Sequence, residues 1–438
     1  MAALEGLESL VMETILSKLA PENVAALACA SAGLRNAAAA EVVWRTFCVR
    51  ELDLVAPLDP DGNRCPSFKV AYQRWRESFA MYPWQLVMRA KKCWSDKKSW
   101  LAANFPEAAQ TLQKGASEDE IKEVEKKLHV KLPLPTRVLY RFCNGQDTSN
   151  AHRYPSGIIG GYCFYDHLVN VHLLPLREIV EETIKCKDQL GFSIRSKYII
   201  VAVSYFVEKV FLLNCTTGQL YVGTRNLFTD GGMVPCVPSA LISSVQNSDG
   251  GAVEDAMLLW LEEHTRSLQS GLFGLRVFYR KKMICLFPEA PPQCTTAITN
   301  GVKIRASAAF VPEMCDLNAE EDSRHWFAYS IRMSLLPEGC ILDGIHYDSC
   351  QLYSRHWIIR SNDAVVSDLR GEAVIGKFPL LVPDKEEFVY ESCTTFPVAP
   401  GSMGGSFTFV PGRLRDPKGR EFEVEVARFP LDVPAYVF

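Results

Sequence analysis

LESLVMETILSKLAPENVAALACASAGLRNAAAAEVVWRTFC, residues 7–48, decides how the chain is divided. Leu4, Leu7, Leu10, Val11, Ile15 and Leu19 recur at three- and four-residue steps, the spacing of one apolar stripe on a helix. Pro21 suits the first turn of the next helix, where a missing N–H has no helical partner to lose. A short second run (Val24, Leu27, Ala28) and a third, from Leu34 through Val42, Val43, Trp44 and Phe47, complete a unit of three short helices. So small a bundle encloses little of its own surface. It has more apolar side chains than it can bury, and part of the surplus is expected to face a partner.

This order of residues resembles an F-box, the motif that docks onto the Skp-type adaptor of cullin–RING ubiquitin ligases. Leu7, Leu10, Ile15, Leu19, Val24, Leu27 and Trp44 carry the resemblance. It implies that these residues bind the adaptor.

The rest of the chain is too long for one domain: 438 residues predict several. With 48% hydrophobic and 22% charged residues it has a globular composition. A formal charge of −4 gives no general attraction to nucleic acid or anionic membrane. Glu5 and Glu8 stand where a signal peptide would be basic, and no apolar run approaches the roughly 20 residues of a membrane helix. A soluble protein of the nucleus and/or cytoplasm is expected. The 15 cysteines are an odd number, and none lie closer together than Cys285 and Cys294, so no paired-cysteine zinc or redox motif is present. Cys340, His346 and Cys350 come nearest to a ligand set, but their spacing is irregular. Reduced, buried thiols and no metal or cofactor are the expectation.

Residues 51–114 read as a helical connector, with Phe68, Tyr72, Trp75 and Phe79 on one helical face. In RAKKCWSDKKSW (89–100), lysines alternate with Trp94 and Trp100, a pattern that can bind single-stranded nucleic acid. A helix that buries the tryptophans and solvates the lysines fits the acidic chain better. At Ser117 a capping box opens, with Glu120 able to reach back to the cap, and Ile121, Val124 and Leu128 form the stripe behind it. A proline-started helix follows in LPLPTRVLYRF, closed by Asn144-Gly145. Strands rich in β-branched and aromatic residues come next, then a helix from about Val253 to Leu268. That order predicts an α+β domain over 115–271. His167 and His172 read as ordinary loop or strand residues. Leu132-Pro133 and LYRFCNG (139–145) resemble the SUKH (Smi/Knr-type) superfamily, which implies a protein-interaction module.

FPEAPPQ (287–293) reads as a hinge within a linker over 272–295. Beyond it the period changes to two. Val302, Ile304, Ala306, Ala308 and Phe310 alternate with polar or small residues, as do Phe327 to Leu335 and Phe422, Val424 and Val426. Short strands with no helical pattern between them predict a β-sandwich over 296–438, with Trp357 in its core. Further strands are expected at Gln351–Arg360, Glu387–Cys393 and Ser406–Val410. SRHWIIRS (354–361), LRGEAVIGKFPLL (369–381) and GSMGGSF (401–407) are read as contained in its loops, and together they resemble an ApaG domain, an immunoglobulin/fibronectin-III-like sandwich. Ala373 stands where that family has a glycine between Gly371 and Gly376. A Rossmann reading of this loop fails, because no helix follows it. Arg355, His356, Arg370, Gly371 and Gly376 remain candidates for binding a ligand or substrate.

The expected fold is therefore multidomain: α-helical F-box (1–50), connector, α+β SUKH-like domain and all-β ApaG sandwich. No catalytic set is legible. The set of resemblances implies a non-catalytic, substrate-recognition subunit of a Skp–cullin–F-box ubiquitin ligase, with an unknown substrate protein as its second partner and neither nucleic acid nor membrane. The alternative is a nucleotide- or phosphometabolite-binding sensor acting through the ApaG loops.

Overall fold

The computed structural model describes residues 8–147, 156–190, 197–243, 255–278, 280–319, 324–396 and 400–438. It divides into two compact units, residues 1–97 with 137–142, and residues 98–136 with 143–438.

The first unit opens with four helices instead of three: Ser9–Lys18, Pro21–Leu27, Ala32–Ala38 and Glu41–Leu52. The long third run breaks at Ala39 and Ala40, where the backbone turns extended before Glu41. Trp44 fixes that break, its indole N–H donating to the carbonyl of Ala38 at 2.7 Å. The oxygen is one that a helix end leaves without a helical partner. Helix Phe68–Ser78 then adds Tyr72, which packs on Trp44 and Phe47 with ring centroids 5.5 and 6.3 Å away. Trp75, Phe79 and Phe142 stack alongside. In helix Trp84–Asn104, Trp94 is buried and bonded to the Leu139 carbonyl, whereas Trp100 is half-buried. Lys97, expected in solvent, is fully buried, and burial pushes its pKa down to about 7.

The second unit begins with the capping box of helix Glu118–Leu128. Glu120 N–H donates to Ser117 Oγ, and the Glu120 carboxylate accepts from the Ser117 N–H at 2.7 Å. Ile121, Val124 and Leu128 are buried behind it. Helix Leu134–Phe142 stops before Asn144-Gly145, and Gly145 has φ +69°. A Cβ there would lie 2.6 Å from the Leu174 carbonyl, so both the turn and the packing require glycine.

Eight strands form one sheet: β1 (Gly160–Phe164), β2 (His167–Leu173), β3 (Tyr198–Ser204), β4 (Val210–Asn214), β5 (Leu220–Gly223), β6 (Met233–Pro235), β7 (Gly274–Phe278) and β8 (Lys281–Cys285). Their spatial order is β6-β5-β4-β3-β2-β1-β8-β7. Helix Leu176–Leu190, absent from the sequence reading, packs on β3 and on helix Glu118–Leu128. Its buried stripe is Leu176, Ile179, Thr183 and Cys186. Helix Ala256–Gln269 closes the domain; the Val253 start expected for it lies outside the described residues. The presumptive linker 272–295 is largely not one. Its β7–β8 hairpin completes the sheet, with β8 pairing β1 in parallel.

Residues 294–431 build the sandwich. One sheet orders β17 (Phe388–Phe396), β11 (His325–Leu335), β10 (Val302–Phe310) and β9 (Cys294–Thr299). A two-stranded ribbon follows β11, made of β12 (Cys340–Leu342) and β13 (Ile345–Tyr347). The facing sheet orders β15 (Ala364–Glu372), β14 (Cys350–Ser361), β18 (Gly401–Arg413) and β19 (Asp416–Pro417), with β16 (Leu380–Leu381) on β14 and β20 (Phe422–Leu431) on β18. Trp357 sits in the core against Phe407 and Tyr329. Alternation holds in β20 but slips in β10, where Ser307 and Ala309 are buried and Ala308 is partly exposed. The outer face of this sheet is covered as well: Arg276 on β7 reaches Ser330 on β11 and Glu391 on β17.

Candidate functional site

The helical unit offers one surface. On helix Ser9–Lys18 the side chains that turn inward are Met12 and Leu16. Leu10 stays 73% exposed, Val11 43% and Ile15 37%. The apolar stripe is therefore split between a core edge and a free face. Val42 and Val49, on the helix Glu41–Leu52 against which it packs, are exposed too. Leu19 and Leu27 are half-buried, while Val24 and Trp44 lie inside the unit and shape the surface from within. Leu7 lies outside the described residues.

In the sandwich, SRHWIIRS lies in β14, where a strand was expected over 351–360, and GSMGGSF lies in β18, which contains the strand expected over 406–410, so neither is a loop. Only 373–379 of the third segment is a loop. Arg355 pairs with Gly371 across β14 and β15, and His356 with Arg370. Successive strand residues point to opposite faces, so the five candidates do not converge. Arg355 shares the face of Trp357 and donates to the carbonyls of Glu372 and Ala373, each at 2.7 Å. A Cβ on Gly371 would stand 3.1 Å from that guanidinium, so a side chain there would crowd Arg355. On the other face His356 Nε2 lies 2.8 Å from Asp368, and Arg370 is exposed. Gly376 sits in the loop with φ +73° and open space around it. Ala373 adopts φ +59° and gives its N–H to Tyr353, while Val374 and Lys377 exchange N–H bonds. The Arg355 guanidinium and the N–H groups of Ala373, Val374 and Lys377 are already engaged within the fold.

Two charged clusters, both outside the sequence reading, join the middle domain to the sandwich. Glu313, 2% exposed as a side chain, lies 2.8 and 3.0 Å from the Tyr162 hydroxyl through its two oxygens, 3.0 Å from His167 Nε2 and 3.7 Å from Lys209 Nζ. Burial opposes its charge, but Lys209 and His167 outweigh burial and hold the carboxyl below its ordinary range. Burial of Lys209 lowers its own pKa, and Glu313 opposes that shift. The geometry favours an ionised pair, since both heads keep further hydrogen bonds. In the second cluster Glu289 meets Arg276 at 2.8 Å, Arg305 at 3.0 Å and Arg332. Although burial works against it, Arg276 and its neighbours depress the Glu289 carboxyl. The expected hinge is thus pinned by three arginines. Residues after β20 also enter the middle domain: the Trp260 indole N–H donates to the Val437 carbonyl at 2.7 Å, and Phe438 stacks on Trp260.

His172 is buried on β2, and burial pushes its pKa down to about 4. Its partner histidine, His167, does have an acid, but one that is 146 residues away in sequence. An acid on the segment after β10, preceded by Pro312, is a weak signal with no helical or strand spacing to announce it. Among the described residues no group of three or more His, Cys, Asp or Glu side chains is placed to hold a metal ion.

A free apolar face on an N-terminal helical unit, an α+β middle domain and a terminal sandwich are the architecture that a multidomain F-box protein of the expected kind would have. Residues 115–230 match the SMI1/KNR4 family (SUKH-1), and residues 316–411 match the ApaG domain family. F-box protein SKIP16 of Arabidopsis thaliana is 54% identical over 99% of this chain and its own whole length. The chain belongs to this family of F-box proteins. Human F-box only protein 3 is 26% identical over 79% of this chain and 66% of its own length. Protein ApaG of Nitrosomonas europaea is 38% identical over 30% of this chain and 91% of its own. A crystal structure of an ApaA protein from Bordetella pertussis covers 32% of this chain and 98% of its own at 29% identity, with a TM-score of 0.25.

Proposed function

We propose that this chain is the substrate-recognition subunit of a Skp–cullin–F-box ubiquitin ligase. The N-terminal helices dock onto the Skp-type adaptor, and the SUKH-like and ApaG domains together hold the target protein. The observation that carries the reading is the exposed row Leu10, Val11 and Ile15 on a helix that already has its own buried pair, Met12 and Leu16. Apolar side chains left in water beside a closed core favour a partner that covers them. Leu19 and Leu27 are half-buried members of the same expected set, Leu7 precedes the row in sequence, and Val24 and Trp44 lie inside the unit. The chain contributes proximity and no catalytic group: a target lysine held near the conjugating enzyme gains effective concentration. Free, mostly buried cysteines fit a nuclear and/or cytoplasmic setting.

The test is capture of a Skp-type adaptor by the full chain carrying Leu10→Asp and Ile15→Asp. Covering a leucine is worth about 1.5–3 kcal/mol, so capture should weaken by at least about tenfold. Because both side chains are exposed, the circular dichroism should stay unchanged. Leu16→Asp, at a buried position, should instead unfold the unit. Normal capture by the folded double variant sinks the assignment.

A further inference from the structure

Strand β15 (Ala364–Glu372) is the outermost strand of its sheet and pairs, among the described residues, with β14 alone. None of its nine residues is buried, and Val365, Val366 and Leu369 are exposed. The edge of the facing sheet is different. There β17 buries Tyr390 and engages Glu391 with Arg276, and Ser392 with Tyr165, both from the middle domain. On β15 every second backbone N–H and C=O points away from β14, which makes the edge a template for an added strand.

Such edges are ordinarily blunted by charges, by proline or by a bulge. β15 has no proline, and its bulge falls before Ser367, leaving the pairing of Ser367–Gly371 with β14 regular. Its charges alternate in sign along one face: Asp368, Arg370 and Glu372. His356 Nε2 meets Asp368 at 2.8 Å, and Arg370 makes no ion pair among the described residues. A row of like charges repels a second copy in every register. An alternating row repels it in some registers and attracts it in others.

We propose that β15 is a self-association surface, on which two copies of this chain join edge to edge, strand antiparallel to strand, about a two-fold axis at Leu369. In that register Asp368 stands opposite the partner's Arg370, and Arg370 opposite the partner's Asp368. Between them, on the other face, Leu369 meets the partner's Leu369. Moving the axis by one residue sets Asp368 against the partner's Asp368, or Arg370 against the partner's Arg370, and directly opposed like charges are destabilising. The contact uses the same patch on both copies, so it closes at two. An edge made for a foreign strand needs no such two-fold match. The inference stands whether or not the chain serves a ligase.

The experiment is sedimentation velocity of the full chain over a range of concentrations, which should show a monomer–dimer equilibrium. Asp368→Arg sets arginine against arginine at both pairs, and Arg370→Asp sets aspartate against aspartate. Each should weaken the dimer by at least about tenfold. Mixing the two variants should restore it, since one then presents arginine at both positions and the other aspartate at both. The double exchange Asp368→Arg with Arg370→Asp should restore it within one protein. Glu423→Arg, an equal change of charge at an exposed position of β20, should leave it unchanged. Leu10→Asp with Ile15→Asp should leave it unchanged too, which separates this edge from the apolar face of the helices. Circular dichroism should stay the same throughout, because the exchanged side chains are exposed. A chain that stays monomeric overturns the proposal, as does a dimer indifferent to both single exchanges. A mixture that fails to restore the dimer, or a loss in either control, overturns it as well.

Discussion

The helical unit and the two-domain unit use opposite surfaces. The first leaves Leu10, Val11 and Ile15 in water and pairs charges such as Arg76 and Glu22 at its surface, although Lys97 is fully buried in it. The second draws charges in, placing Glu313 against Lys209 and Glu289 among three arginines between its domains. The contrast separates two tasks. An apolar face associates with whatever covers it and dissociates intact, because nothing inside the unit depends on the partner. A buried ion pair fixes geometry, because removing one member strands the other. On the proposed reading the N-terminal unit docks, and the charge clusters join the SUKH-like domain to the sandwich.

The sharpest way to break this comparison is to strand a charge. Glu313→Ala leaves Lys209 fully buried without its carboxylate and Tyr162 without its acceptor. A loss of about 3–5 kcal/mol in urea unfolding of the second unit is expected. Lys209→Met combined with Glu313→Leu removes both charges and should recover much of that loss. If Glu313→Ala costs no more than an ordinary surface change, the cluster does not fasten the domains.

A smaller effect should come from pH. The Glu289 carboxyl sits below its ordinary value of 4.5, chiefly because Arg276, Arg332 and Arg305 outweigh its burial. A carboxyl with a depressed folded pKa is ionised while the unfolded chain still takes up the proton. Its stabilisation is therefore complete above the ordinary carboxylate range and declines as pH falls through the folded value. The urea midpoint should drop between pH 5 and pH 3, and Glu289→Gln, less stable at neutral pH, should show a shallower drop. Equal slopes in the two proteins would remove Glu289 from the account.

Local chemistry was legible in the sequence and long-range chemistry was not. Ser117 and Glu120 lie three residues apart and form the capping box that spacing predicts. The alternation of Phe422, Val424 and Val426 with glutamates appears as the burial pattern of β20. Periodicity failed where an element has two covered faces. Ser307, Ala309 and Ser330 are small or polar and read as outward, yet β7 and its neighbours cover that side. The prolines of 287–293 suggested a hinge, because nothing local shows that Glu289 will meet arginines from three other strands. Helix Leu176–Leu190 is hard to read from the sequence although its stripe has helical spacing, because its four buried positions are interspersed with glutamates and lysines. The F-box stripe was visible, but which of its residues faces inward depends on the later helix that packs against it.

The smallest expected effect concerns the sandwich loop, where phosphate binding would blur the distinction between a protein receptor and a sensor. An anion site there would need converging donors, and the structure has engaged several of them. Arg355 donates to the Glu372 and Ala373 carbonyls, the Ala373 N–H to Tyr353, and Val374 and Lys377 to each other. His356 faces Asp368 at 2.8 Å, which would repel a phosphate approaching from that side. Arg370 is left as an exposed single charge, and isolated exposed charges contribute about 0–1 kcal/mol. Millimolar ATP, GTP or pyrophosphate should therefore move the melting temperature of the full chain by less than about 2 °C, and Arg370→Ala should leave that shift unchanged. A saturable shift of several degrees lost in Arg370→Ala would make the sensor reading the leading one.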